Sequence, residues 1–204
     1  MIRNIIFDWS GVIKDCVNSQ LWVINKMFSE FGVSDISLEE FKKKWRQPYM
    51  KFYNEFIPEL TLEEEQIVYK KVISKSPKSS YYPGIVNLIK DLKSKGVRMV
   101  VISSDFSENL KEEINNFNLN NIFIDVISDS HDKTDDVINV INKYKFDKED
   151  TIIIGDSNHE VEAGKKAGIK TLSVTWGFTD RDKLSISNPD FIVNSIEELK
   201  TVLH

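Results

Sequence analysis

Cysteine, long apolar runs and excess positive charge are all scarce in this chain of 204 residues. Its one cysteine, Cys16, cannot form an intrachain bridge, which excludes a small disulfide scaffold. A reducing, cytoplasmic setting fits that usage. Apolar runs such as Ile152-Ile153-Ile154 fall far below the roughly 18–20 residues of a membrane-spanning helix. The opening stretch MIRNIIFDWSG has one Arg and a short apolar run, whereas a secretory signal needs about 7–15 apolar residues, so none is expected. Lys and Arg number 27 against 32 Asp and Glu, a formal net charge of −5, which argues against broad nucleic-acid binding. Repeats and low-complexity tracts are missing too. What remains is 41% hydrophobic and 11% aromatic, the composition of a globular protein long enough for one sizeable core, or a core plus a small module.

The pattern along the chain divides in two. Residues 2–7, IRNIIF, read as a buried strand that ends at Asp8. Residues 17–31 carry Leu21, Ile24, Met27, Phe28 and Phe31 at helical spacing, and Gly32 follows as a stop. Ser37 with Glu40, and Thr61 with Glu64, have the form of capping boxes. They open helices predicted over 37–46, ended by Pro48, and over 62–74. Residues 74–82, with Pro77 and then Pro83, read as a linker. Residues 15–82 are therefore expected to be helical and strandless. Beyond them, helices predicted at 84–94, 107–117, 134–144, 158–167 and 196–203 alternate with strands at 97–102, 122–127, 151–154, 170–174 and 191–193. Several of these strands are apolar without alternation, the mark of a parallel sheet buried on both faces. The expected fold is α/β. A Rossmann-like parallel sheet core with helices on both faces, residues 1–14 and 83–204, carries an inserted α-helical cap, residues 15–82.

In such sheets ligands bind beyond the carboxyl ends of the strands. The first strand is followed by Asp8-Trp9-Ser10-Gly11, the strand VRMVVI by Ser103-Ser104-Asp105, and TIII by Gly155-Asp156-Ser157, with Glu160 four residues past Asp156. Lys133 opens the helix before that last strand. Each residue alone has an ordinary reading, as a turn, a cap or a solvated lysine. Their order and spacing together bring carboxylates, a hydroxyl and an ammonium to one rim.

In that order the sequence resembles the haloacid dehalogenase superfamily, which contains phosphatases, dehalogenases and phosphonate hydrolases. FDWSGVI, residues 7–13, matches its first motif, VVISS, residues 100–104, its second, and Lys133-Thr134 its third. IIIGDSNHEVEAGKKAG, residues 152–168, matches its fourth, and Val174-Thr175-Trp176-Gly177 is also similar to the family. The helical insertion resembles the family's cap. The resemblance implies that Asp8 is a nucleophile forming an aspartyl-phosphate. It implies Mg2+ held by the Asp8 carboxylate, the Ser10 carbonyl and Asp156, with Glu160 orienting a metal-bound water. Ser103 and the N–H groups of Trp9 and Ser104 would cradle the phosphoryl group, and Lys133 would add positive charge. The expected partner is a small phosphorylated metabolite, the expected activity phosphoric monoester hydrolysis.

Three positions depart from the family pattern. Ser10 stands where the family's phosphatases have a general-acid Asp, whose loss costs about 10²–10⁴ in rate. Three explanations stay open: a substrate with a good leaving group, a proton supplied by another group such as one from the cap, or a phospho-ligand binding protein with weak or no catalysis. A phosphonate carbon–phosphorus hydrolase is a further alternative. It needs a cap lysine, and Lys42, Lys43, Lys44, Lys51, Lys70 and Lys71 are all in the cap. Glu160 replaces the usual Asp. The run from Asp125 to Lys133 is short for the family and sets His131 and Asp132 beside Lys133. Trp45, His159 and Cys16 have plain readings as a cap-packing aromatic, a surface histidine and an inert thiol.

Overall fold

A computed structural model describes residues 2–46, 48–130 and 133–204. Six parallel strands form the main sheet in the order β5-β4-β1-β6-β7-β8. They are β1 (Asn4–Phe7), β4 (Arg98–Ile102), β5 (Asp125–Ile127), β6 (Thr151–Gly155), β7 (Lys170–Val174) and β8 (Phe191–Val193). Successive strand residues point to opposite faces, so a continuous apolar run serves two cores at once. Ile5, Phe7, Met99, Val101, Ile152 and Ile154 pack on one face, beneath α5 (Ile85–Ser94), α6 (Ser107–Asn116) and α10 (Ile196–Leu203). Ile6, Val100, Ile102 and Ile153 pack on the other, beneath α7 (Lys133–Tyr144) and α8 (Asn158–Ala167).

The order of the strands places the site. The chain runs outward from β1 through β4 to β5, then returns to the opposite side of β1 with β6, β7 and β8. The direction reverses at β1, the point where an open α/β sheet leaves a crevice. In register, Phe7 lies beside Val101 on one side and Ile154 on the other. The residues that follow these strands therefore emerge side by side.

The insertion folds as α1 (Val17–Glu30), α2 (Leu38–Lys44), α3 (Met50–Phe56) and α4 (Leu62–Ile73). Its core is aromatic: the Phe28 ring lies 4.8 Å from Phe56 and 6.2 Å from Phe52. Each such side chain removed from water contributes about 1.5–3 kcal/mol. Thr61 and Glu64 form a complete capping box, whereas Ser37 caps α2 by accepting from the Glu40 amide alone.

Several sequence expectations need correction. Residues 15–82 are not strandless: β2 (Lys14–Asp15) pairs antiparallel with β3 (Ser80–Tyr81), clamping the insertion's entry to its exit. Two-residue strands carry too little pattern to read, and the backbone bonds of this ribbon depend on residues far apart in sequence. α3 and α9 (Arg181–Ile186) were not expected, and α2 ends at Lys44 rather than Arg46. β5 starts at Asp125 rather than Ile122, because Asn121 turns the chain with φ 61° and only Ile124 onward meets β4 through its amide bond to Met99 O at 2.8 Å. His131 and Asp132, expected to influence Lys133, lie outside the described residues. No described helix is long and apolar enough to cross a membrane.

Candidate active site

Three carboxylates and one ammonium meet at the carboxyl edge of β1 and β6. Asp8 leaves β1 with its amide still bonded to Ile154 O at 2.9 Å. Asp156 follows β6, and Glu160 lies in the first turn of α8. Asp8, Asp156 and Glu160 are all buried, and each offers an oxygen within 4.8 Å of the others. Lys133 Nζ reaches Asp8 Oδ1 at 2.8 Å and Glu160 Oε1 at 2.5 Å. A lysine in the first turn of a helix has the wrong sign for the helix dipole. Its two carboxylate partners offset that cost.

Crowding of like charges out of water sets the proton affinities. Burial pushes the Asp8 carboxyl up to about 7, against the pull of Lys133 and with the repulsion of Glu160. Burial, then the charges of Asp8 and Glu160, holds Asp156 well above the usual carboxylate range. Burial also opposes ionisation of Glu160, but Lys133 outweighs it and lowers that carboxyl below its ordinary value. Burial works against the Lys133 ammonium too, yet Asp8 and Glu160 keep it protonated above the ordinary lysine range.

Neighbouring backbone fixes these groups. The Trp9 amide donates to Asp8 Oδ1 at 2.8 Å, while its fully buried indole donates to Glu113 Oε2 at 2.7 Å and stacks on Phe117. Glu160 Oε2 accepts from the Ser157 hydroxyl at 2.7 Å and the Ser157 amide at 3.1 Å, so one carboxylate both caps α8 and holds Lys133. Asp156 Oδ2 accepts from the Phe178 amide at 2.6 Å. Gly11, at φ +84°, and Gly177 line Asp156, where a Cβ at either would collide with the carboxylate.

The edge of β4 adds hydroxyls. Ser103 is buried, and Ser104 is exposed on the rim. Ser10 Oγ donates to Asp105 Oδ2 at 2.6 Å, and Ser103 Oγ donates to the same oxygen at 3.2 Å. Of the expected site residues, Asp8, Trp9, Ser10, Ser103, Ser104 and Asp156 follow the ends of β1, β4 and β6, and Lys133 and Glu160 reach the same edge from the first turns of α7 and α8. Sequence reasoning assigned no role to Asp105, although it directly follows Ser103-Ser104, nor to Phe178.

The insertion meets the α/β sheet region through the loop after β7. Phe178 packs among side chains of the insertion, with its ring 5.9 Å from Phe41 and 5.5 Å from Trp45. Trp45 also packs on Phe52, so it serves both the interior of the insertion and the seam. Among the lysines of the insertion, Lys42 is half-buried, and its amine donates to the carbonyls of Thr175 at 3.3 Å and Trp176 at 3.5 Å. His159 is exposed. Cys16 is buried, and burial pushes its thiol up to about 12, so it stays protonated and inert.

Comparison with known proteins decides the family. Residues 5–174 match the family of haloacid dehalogenase-like hydrolases. The chain belongs to that family. It is 25% identical over 205 residues to a phosphoglycolate phosphatase of Aquifex aeolicus, covering 97% of this chain and 95% of the relative. It is 21% identical over 209 residues to the pyrophosphatase PpaX of Oceanobacillus iheyensis, covering 99% and 97%. A solved structure of a haloacid dehalogenase-like hydrolase from Streptococcus pneumoniae superposes with a TM-score of 0.82 at 20% identity, covering 100% of this chain and 99% of that one. This last likeness concerns the fold.

The donor set also suits a hard divalent cation. Three buried carboxylates offer only oxygen, and Lys133 supplies the one ammonium in ion-pair contact with them among the described residues. With all three ionised, such a cluster would carry excess negative charge out of water, which a bound cation relieves.

Proposed function

We propose that this hydrolase is a magnesium-dependent phosphatase that cleaves a small phosphorylated metabolite through an aspartyl-phosphate on Asp8. The observation that carries the reading is the contact of Asp8 with Lys133 beside Asp156 and Glu160. The relatives named for phosphoglycolate and pyrophosphate, both small, support the substrate class. Asp8, Asp156, Glu160 and the Ser10 carbonyl would hold magnesium, which when bound supplies charge that offsets repulsion between nucleophile and phosphate.

The chain's own residues do the rest. The free Asp8 oxygen attacks phosphorus, forming the acyl phosphate as the bond to the leaving oxygen breaks. The Trp9 amide and Lys133 hold the other oxygen and so aim the attack. Lys133, Ser103 and the Ser104 amide stabilise the charge on the transferring group. Water then attacks phosphorus and releases Asp8. The cap, seated on Phe178, excludes bulk water from the crevice and bounds the size of the substrate.

A second reading rests on Ser10: with a hydroxyl where a carboxylic acid would protonate the leaving group, the protein binds phosphorylated ligands and turns them over slowly or not at all. One assay separates the two. Wild type and Asp8→Asn are compared on p-nitrophenyl phosphate, acetyl phosphate, phosphoglycolate and pyrophosphate, with magnesium and with chelator. The phosphatase reading expects magnesium-dependent turnover that Asp8→Asn abolishes. Binding of phosphate without turnover by wild type establishes the second reading instead.

A further inference from the structure

Alkyl phosphate hydrolysis needs a proton for the departing alkoxide and a base for the water that follows. Of the carboxylates that follow β1, β4 and β6, Asp8, Asp156 and Glu160 are committed to Lys133, the Phe178 amide and Ser157. Asp105 stands apart from that cluster. It is half-buried, and its Oδ2 accepts the Ser10 hydroxyl at 2.6 Å. Ser103 also donates to this oxygen, at 3.2 Å, while the Asp105 amide donates to Ser103 Oγ at 3.1 Å. The carboxylate is thus aimed back at the hydroxyls by its own backbone. Lys14, Tyr69 and Cys16 lie close enough to interact with it electrostatically, and Lys14 is itself paired with Glu113 at 2.6 Å.

Building on the phosphatase reading, we propose that Asp105, acting through the Ser10 hydroxyl, takes the proton of the attacking water and returns it to the leaving alcohol. In the hydrolytic half, the water oxygen bonds to phosphorus and the bond from phosphorus to Asp8 breaks. One water proton passes to Ser10 Oγ as the Ser10 proton passes to Asp105. In the next turnover Asp8 bonds to phosphorus, and the ester oxygen leaves with the Ser10 proton. Ser10 recovers its proton from Asp105. Each cycle consumes one water and leaves every side chain as it began. The 2.6 Å contact between Ser10 Oγ and Asp105 Oδ2 carries a proton either way: from hydroxyl to carboxylate in the water step, and back from the carboxylic acid when the alcohol leaves. Ser10 is the catalytic residue that meets the reacting oxygens, and Asp105 is the positioning residue behind it.

The test compares Asp105→Asn, Ser10→Ala, Asp105→Ser and the exchange Ser10→Asp/Asp105→Ser, with Asp8→Asn as control. Substrates are an alkyl phosphate and p-nitrophenyl phosphate, whose leaving group needs no proton. Asp105→Asn and Ser10→Ala are expected to lower kcat on the alkyl ester by about 10²–10⁴ with little change in KM. On p-nitrophenyl phosphate they give a burst of nitrophenolate, then slow turnover, with phosphorylated protein seen by intact mass. The exchange returns a carboxylate to the reacting oxygens and restores at least about tenfold over Asp105→Ser. If Asp105→Asn turns over both substrates at the parental rate while Asp8→Asn is dead, the Asp105 proposal is wrong and the phosphatase reading stands. Full activity in Ser10→Ala beside an impaired Asp105→Asn also overturns it. If Asp105→Asn loses activity through misfolding, the exchange decides: no gain over Asp105→Ser refutes the relay. Activity that survives Asp8→Asn, or absence of turnover in wild type, overturns both the relay and the phosphatase reading.

Discussion

Replacing Lys133 by Met tests the electrostatics of the site most directly. The substitution keeps an apolar stem of similar length and removes only the ammonium and its bonds. That ammonium touches Asp8 at 2.8 Å and Glu160 at 2.5 Å, in an arrangement where all three side chains are at most 12% exposed. Removing one partner from a buried pair leaves uncompensated charge and costs about 3–5 kcal/mol. For a chain of this size each kcal/mol shifts melting by about 2–4 °C, so Lys133→Met should melt about 6–20 °C lower in chelator. The cost has a sign in pH. In the parent, Lys133 holds Glu160 below its unfolded value, so that contribution is present above the unfolded pKa and is lost as pH falls through the folded one. In the variant, burial acts on Glu160 unopposed and raises it, so stability is lost as pH rises. The difference between parent and variant must therefore grow from pH 5 to pH 8. Urea unfolding in chelator at both pH values measures it. A loss under about 1 kcal/mol, the size of an exposed ion pair, or an equal loss at both pH values, refutes the reasoning.

Two further substitutions probe other parts of the molecule. Gly177→Ala places a Cβ against the Asp156 carboxylate and its Phe178 amide bond, so magnesium affinity should fall about 10–100-fold. Calorimetric titration with magnesium reads this without any substrate, and unchanged affinity rejects the contact as a support of the cation site. In the insertion, burial raises the Glu65 carboxyl from 4.5 to about 7, in spite of a bond from Tyr49. Its stabilising contribution is present below the unfolded value and is lost as pH rises toward 7, so Glu65→Gln should gain about 1–3 kcal/mol at pH 8 and little or nothing at pH 4. Urea midpoints at the two pH values check this, and a pH-independent effect contradicts it.

The fold was legible where local chemistry repeats. Ile152-Ile153-Ile154 and Met99-Val100-Val101-Ile102 are apolar on consecutive positions, which suits a strand buried on both faces, and both sit in the sheet centre. Thr61 with Glu64 announced α4 by its capping box. The hidden elements were those with no local signature. β2 and β3 are two residues each, and their pairing joins positions far apart in the chain. Likewise the net charge of −5 says nothing of where charge gathers, since the buried carboxylate cluster is a product of register.

By itself the sequence determined the α/β core, three of the four inserted helices and the residues that end each strand, because strand periodicity, caps and turns are properties of neighbouring residues. Only the tertiary structure decided which of those ends became partners. It alone put Asp105 behind Ser10, gave Glu160 both a helix cap and Lys133, and seated Phe178 among the inserted helices while its amide holds Asp156. The physical reason is that hydrogen bonds and charge pairing act across space over a few ångströms. Strand order and register, set by the packing of the whole core, determine which distant residues come within that reach.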